Sequence, residues 1–99
     1  MEERRYRESR LCRLLGNPIV YQLVLLLDGD APLTPSKLAR LTGRKVSTVS
    51  IHLGKLRAAD VVRYDTAGKE TRYWLKHKTE MKGLLRSLER VVDASTKLD

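Results

Sequence analysis

The fold is decided by residues 34–56, which read TPSKLARLTGRKVSTVSIHLGKL. The pair Thr34-Pro35 is an N-cap followed by a proline at the first helical position, and it predicts the start of a short helix. Gly43 suits the left-handed conformation that commonly follows a helix. A second helical pattern covers residues 46–59. Two short helices joined by a tight turn indicate a helix-turn-helix over residues 35–59.

Two further helices are predicted before this segment. The first covers residues 4–15 and ends at Gly16. The pair Asn17-Pro18 then repeats the signal of a cap followed by a proline, and it begins a second helix that extends to about Leu27. Because that helix is apolar on nearly every side, we expect it at the centre of the core.

A hairpin and one more helix are predicted after the segment. Residues 61–76 have β-type composition around the turn residues 66–69, which is typical of a hairpin. A last amphipathic helix covers residues 79–93. Five helices with a two-stranded wing predict a mainly α fold, a single winged helix-turn-helix domain over residues 1–99. Trp74 is on the outer face of the wing, where it either contacts a binding partner or is covered by a terminal helix.

The composition indicates a folded protein of the cytoplasm. At 41% hydrophobic and 32% charged residues, the chain is too apolar for disorder and too charged for a membrane protein. The longest apolar stretch, residues 19–27, is far shorter than the roughly 20 residues that span a bilayer. The single cysteine, Cys12, cannot form an internal disulfide, which fits a reducing compartment. One Asn and one Gln beside many arginines suggest a thermophilic source.

The positive charge is concentrated in one part of the chain. Residues 36–78 contain eleven Lys or Arg and three acids, so they carry the whole formal charge of +8, and the rest of the chain is neutral. No acid occurs between Ser36 and Arg57. A basic surface that coincides with a helix-turn-helix indicates binding to nucleic acid.

The fourth helix has one face suited to the core and one suited to a DNA groove. Its inward residues are Val49, Leu53 and Leu56. On the opposite side, the hydroxyl groups of Ser47 and Ser50 can hydrogen-bond to base edges, and Ile51 can pack on a thymine methyl group. Gly54 costs about 1 kcal/mol relative to alanine in a helix interior, which suggests that the sugar-phosphate backbone approaches closely there.

These features define two sets of candidate DNA contacts. The base-reading candidates are Val46, Ser47, Ser50 and Ile51. The DNA-backbone candidates are Arg44, Lys45, His52, Gly54, Lys55, Arg57, Arg63, Lys69 and Arg72. As alternatives, the serines are ordinary solvated positions, the cations form a solvated face, and His52 is a packing side chain.

Four segments together resemble the ArsR/SmtB family of winged-helix repressors. They are Leu15-Gly16-Asn17-Pro18, LARLTG at 38–43, STVSIHL at 47–53 with Leu56-Arg57, and Gly68 through Tyr73 with Leu75. The pattern VSxHLxxLR, residues 49–57, is the most specific of these, and the resemblance covers residues 10–92. It implies a homodimer built from the first and last helices, with each fourth helix in a major groove of double-stranded DNA and each wing beside it. Family members usually have a polar cap where Lys45 stands and a polar reader where Val46 stands, so base preference should differ.

Dimerisation is also favoured by the near-heptad spacing of apolar residues in the last helix. As an alternative, this stripe packs on its own domain. The predicted interface residues are Tyr6, Leu11, Leu14, Met81, Leu84, Leu85, Leu88, Val91 and Val92.

The metal sites of the resembling family are not supported. The third helix, residues 36–41, contains no cysteine, and the last helix contains no histidine. A transition-metal site needs two or more ligands at suitable spacing, so we predict no metal and no cofactor. Cys12 either meets its symmetry mate across the dimer or is a buried, inert thiol, and we expect the second.

We therefore expect a homodimeric, sequence-specific DNA-binding transcriptional regulator, acting as a repressor. The alternatives are a non-specific DNA-coating or architectural protein and a winged helix that binds an acidic protein partner. An enzyme is not expected, because the chain has no Gly-rich phosphate loop and no histidine with a nearby nucleophile.

Overall fold

The computed structural model describes residues 1–96 of the chain. Within that range there are five helices and one antiparallel two-stranded sheet, so the predicted mainly α winged fold is confirmed. The elements are α1 Glu3–Leu15, α2 Pro18–Leu27, α3 Pro35–Thr42, α4 Val46–Ala58, β1 Val62–Ala67, β2 Glu70–Leu75 and α5 Lys78–Thr96.

The helix starts and stops follow local chemistry. The Asn17 side chain accepts hydrogen bonds from the backbone N–H groups of Ile19 and Val20, at 2.9 and 3.3 Å. Thr34 accepts one from the N–H of Lys37 at 3.1 Å. Gly43 ends α3 in the left-handed conformation, with φ of 68°. Each of these caps needs only neighbouring residues, and each was predicted from sequence.

The strands of the wing reach closer to its tip, and its turn is tighter, than predicted. Thr66 and Ala67 belong to β1, where they pair with Thr71 and Glu70, and only two residues remain in the loop. The four-residue turn predicted at 66–69 was therefore wrong. Gly68, with φ of 65°, supplies the positive φ that so short a hairpin loop requires.

The core is centred on α2, as its apolar composition predicted. Val20, Leu23 and Val24 of this helix are fully buried. Around them lie buried residues of α3, α4, the wing and α5, namely Leu38, Val49, Leu53, Leu56, Val62, Leu75, Met81 and Leu85. Leu33 forms a β-bridge with Tyr73, and the paired backbone bonds of 3.0 and 2.8 Å attach the wing to the segment before α3.

Helix α5 is divided into a packed half and a projecting half. Met81 and Leu85 are buried in the core of their own chain, although both were predicted in the dimer interface. The amphipathic stripe therefore packs on its own domain at this end of the helix. Lys82 also fixes this half by an ion pair of 3.2 Å with Asp28 at the end of α2. Val91, in the other half, is 62% exposed.

None of the five helices described is by itself long and apolar enough to cross a membrane. Only α1 and α2 taken together reach that length and composition, and they are bent by 94° at their junction.

Candidate nucleic-acid interface

Helix α4 is held by one face and presents the other to solvent. Val49, Leu53 and Leu56 are fully buried, which confirms the predicted inward face. The predicted base-reading candidates Val46, Ser47, Ser50 and Ile51 are all exposed, as is Gly54. Because three consecutive turns are anchored in the core, the outward side chains are presented from a fixed helix.

The N-terminus of α4 is open. Lys45 is the N-cap residue, and its side chain makes no capping hydrogen bond. An ammonium group donates hydrogen bonds and cannot accept one from a backbone N–H. The first turn of α4 therefore keeps free N–H donors beside the exposed cations Arg44 and Lys45, an arrangement that suits a phosphate group.

The basic segment contains both paired and unpaired cations. Three of its eleven cations form ion pairs: Arg72 with Asp65 at 3.3 Å, Lys76 with Asp60 at 2.7 Å, and Lys78 with Asp30 at 3.9 Å. Within residues 1–96 the other eight form no ion pair, and they are Lys37, Arg40, Arg44, Lys45, Lys55, Arg57, Arg63 and Lys69. Six of the eight lie in the helix-turn-helix, Arg63 lies in β1, and Lys69 lies in the turn of the wing. Arg72, which was predicted to contact the DNA backbone, is thus partly neutralised by Asp65 on the neighbouring strand.

A stack of side chains joins the end of α4 to the wing. The guanidinium carbon of Arg57 lies 4.9 Å from the centre of the Tyr64 ring, a cation–π contact. The Tyr64 ring in turn stacks on Tyr73 of β2, with 5.5 Å between centroids. Sequence reasoning missed this stack, because the predicted turn at 66–69 implies a different hairpin register from the observed one, which pairs Tyr64 with Tyr73. The contact holds Arg57 against the wing.

His52 is enclosed more than its outward neighbours. Burial, followed by the nearby charge of Lys55, lowers the pKa of His52 below its ordinary value of 6.5. The lowered pKa favours the neutral form of the ring, so His52 adds little positive charge to the surface near pH 7. Its Nδ1 atom is enclosed and has no hydrogen-bond partner among the residues described.

Asp60 fixes the turn between α4 and the wing. Its φ of 64° is unusual for a residue other than glycine. The Lys76 ammonium lies 2.7 Å from both carboxylate oxygens, and this hydrogen bond is the main reason that the pKa of Asp60 is lowered. His77 approaches the same carboxylate at 3.7 Å. Sequence reasoning did not identify this cluster, because it depends on bringing residues 60 and 76 together.

The residues predicted at a dimer interface fall into three groups. Tyr6, Val91 and Val92 are exposed, whereas Leu11, Leu14, Leu84 and Leu88 are half-buried. Met81 and Leu85 are buried in their own core, as described above. A groove of about 1120 Å³ runs between α1 and α5, and Leu11, Leu14 and Leu84 form part of its wall.

Cys12 is exposed, whereas Trp74 is half-buried. Cys12 is exposed on α1, so the expectation of a buried thiol was wrong. The expectation failed because α1 contributes only Leu15 to the fully buried core. Trp74 is half-buried and lines a small groove with Pro32 and Lys78, at the base of the wing. In residues 1–96 no cluster of three or more His, Cys, Asp or Glu side chains is arranged to hold a metal ion.

Comparisons with known proteins agree with this geometry. The family model described as "Helix-turn-helix domain" matches residues 15–65. No curated protein gives a significant sequence match.

Several solved structures are similar over nearly the whole chain. Reduced HlyU from Vibrio cholerae is 25% identical, with a TM-score of 0.78 over 92% of this chain and 94% of that one. The transcriptional regulator HlyU from Vibrio vulnificus is 25% identical, with a TM-score of 0.72 over 89% and 93% of the two chains. The homodimeric winged helix-turn-helix DNA-binding domain of Mb0332 from Mycobacterium bovis is 21% identical, with a TM-score of 0.78 over 92% and 82%. HlyU from Vibrio vulnificus is described as a transcriptional regulator, and Mb0332 as a possible ArsR-family transcriptional regulator.

Proposed function

The chain belongs to the helix-turn-helix domain family, and from this premise we propose that it is a homodimeric transcriptional repressor that binds a specific DNA sequence. Its resemblance to ArsR-type winged-helix regulators, predicted from the sequence, is confirmed. Helix α4 enters the major groove, and the wing contacts the adjacent backbone or minor groove. Repression follows from occlusion, because a bound dimer excludes other proteins from the same DNA.

The observation that carries the proposal is the arrangement of charge around α4. Exposed, unpaired cations surround a helix whose outward face bears short or apolar side chains. A major groove is about 12 Å wide and admits one helix, whose flanks then meet phosphates. Cations on the flanks supply affinity and register, and the outward residues meet base edges. An exposed helix that binds nothing would not need cations on its flanks and short or apolar side chains on its outward face.

Dimerisation is supported by the exposed apolar residues of the terminal helices. Tyr6, Val91 and Val92 are more than half exposed in the single chain. Burying such apolar side chains between two copies removes them from water, which is favourable. The similar Mb0332 domain is homodimeric. Two copies would carry two α4 helices, which predicts a palindromic site with half-sites about 34–36 Å apart.

The decisive experiment is selection of binding sites from a random duplex library, followed by footprinting on the DNA upstream of the chain's own gene. We expect a palindromic sequence to be enriched and protected over both half-sites. Enrichment of duplex DNA without any preferred sequence would instead assign a non-specific coating protein. Absence of DNA binding, together with DNA-independent capture of an acidic protein, would assign the winged helix to protein interaction. Lys45→Glu with Lys55→Glu should abolish DNA retention, and DNA affinity that is unchanged by this double substitution would favour the protein-interaction alternative.

A further inference from the structure

We propose that α4 reads its DNA site chiefly through thymine methyl groups, with Ile51 as the main specificity-determining residue. The inference rests on the proposed function and names the feature of DNA that the site recognises. It predicts that A·T pairs occupy the centre of each half-site, with the thymine methyl group directed at Ile51.

The outward ridge of α4 is apolar or small along its whole length. Ser47, Ile51, Gly54 and Ala58 follow one another at helical spacing, and all four are exposed. Ile51, at 61% exposure, is the only large side chain among them. The side chains of this helix that would enter the groove most deeply therefore offer methyl groups and a hydroxyl group. None of them is charged or carries an amide.

The chain has few amide side chains that could read adenine. Bidentate recognition of adenine uses Asn or Gln, and this chain has one of each. The Asn17 oxygen caps α2, and Gln22 lies in the middle of the same helix. Neither residue belongs to the helix-turn-helix, so adenine is not read from α4 by an amide.

The cations near α4 are placed for phosphates and not for guanine. Arg57 is held over the Tyr64 ring at the C-terminal end of the helix. Lys55 lines the groove between α1 and α5, to one side of the ridge. Arg44 and Lys45 lie in the turn before α4, next to its open N-terminus. A guanine contact needs an Arg or Lys directed along the ridge, and residues 46–54 contain neither.

Folding gives no reason for isoleucine at position 51. The side chain is outside the core cluster, and a β-branched residue is slightly unfavourable in a helix. Single exposed apolar residues are common on protein surfaces, but Ile51 lies amid unpaired cations on the face opposite the core. Contact with a thymine methyl group would remove this side chain from water at the same moment as the cations meet phosphates.

The test substitutes deoxyuridine for single thymidines in the selected duplex, which removes the methyl group and keeps base pairing. One buried methyl group is worth about 0.8 kcal/mol, so affinity should fall about fourfold at the contacted thymine. Replacement in both half-sites should give a fall of roughly fifteenfold, the product of two such effects. 5-Bromodeoxyuridine, whose bromine is close to a methyl group in size, should restore binding.

A mutant cycle assigns the effect to the residue. Ile51→Ala should bind the thymine and uracil duplexes equally, because the methyl group has lost its partner. Leu25→Ala is the matched control, since Leu25 is also an exposed apolar residue, 46% accessible, but lies on α2. This control should keep the full sensitivity of the wild-type protein to uracil.

The outcomes separate this inference from the proposed function. If the chain selects a site whose affinity is unchanged by uracil but falls with 7-deazaguanine, guanine is read and the inference is overturned, while specific DNA binding stands. If uracil weakens wild-type and Ile51→Ala proteins equally, the methyl group acts on duplex shape and Ile51 does not read it. If no duplex is bound, both the proposed function and the inference fail.

Discussion

At the scale of single residues, Gly54 shows how folding and binding make opposite demands on one position. A Cβ atom added there would meet nothing within 4 Å in residues 1–96, so the fold does not require glycine. Glycine in a helix interior costs about 1 kcal/mol relative to alanine. The residue therefore lowers stability without a packing reason inside the described residues, and a close external surface such as bound DNA would explain it.

We accordingly expect Gly54→Ala to raise the free energy of unfolding by up to about 1 kcal/mol. The same change should weaken DNA binding about fivefold, because the new methyl group enters a close contact at a cost of about 1 kcal/mol. Gly83→Ala is the control, since Gly83 is likewise in a helix with nothing within 4 Å of an added Cβ. Chemical denaturation and gel-shift titration measure the two effects. Equal DNA affinity of both variants would contradict a close approach at Gly54.

What could be predicted at this scale depends on how far apart the interacting residues are. The caps at Asn17, Thr34 and Gly43 involve residues within four positions, and each was predicted from sequence. The Asp60–Lys76 pair joins residues 16 apart, and only the closed hairpin brings them together. Exposure of Cys12 depends on how α1 lies on the domain, which its own sequence does not specify.

At the scale of elements, α5 is divided into a part that is buried in the core and a part that projects from it. Its first turns complete the core through Met81 and Leu85, whereas Val91 and Val92 project from it, 62% and 58% exposed. The apolar stripe is continuous in the sequence. For this reason the whole stripe was predicted to form a dimer interface, and the part that packs on the core of the same chain was not distinguished. Periodicity identifies the apolar face of a helix but does not say which neighbour covers it.

The double variant Val91→Ser with Val92→Ser tests whether the projecting part of α5 forms the proposed dimer interface. Both side chains lie outside the core cluster, so helical content should be unchanged. Removing four valine side chains from a dimer should raise the dissociation constant at least about tenfold, because burying even one valine contributes about 1.5 kcal/mol, which corresponds to a factor of about ten. Sedimentation over a concentration series measures this, with Leu25→Ser as the control. A dimer that is unchanged by the double substitution would show that the end of α5 does not form the interface.

At the scale of the whole molecule, charge is divided between the basic segment, residues 36–78, and a neutral remainder. The formal charge of +8 belongs to residues 36–78, and the remainder of the chain is neutral. The sequence predicted this division, because it needs only the order of charged residues along the chain. It did not predict which cations are free, since the pairs Asp65–Arg72 and Asp60–Lys76 require the strand register and the closed turn.

The free cations make a quantitative prediction about salt. Each phosphate contact contributes about −0.9 to the slope of log affinity against log salt concentration. Lys69→Gln removes an unpaired cation from the turn of the wing, and a dimer loses two, so the slope should become shallower by roughly 1.8. Arg86→Gln removes the same charge from the exposed side of α5, outside the basic segment, and should leave the slope unchanged. Fluorescence anisotropy titrations at several salt concentrations give both slopes. Equal slopes for the two variants would mean that Lys69 acts through the overall charge of the protein, and the wing would then lie away from the phosphates.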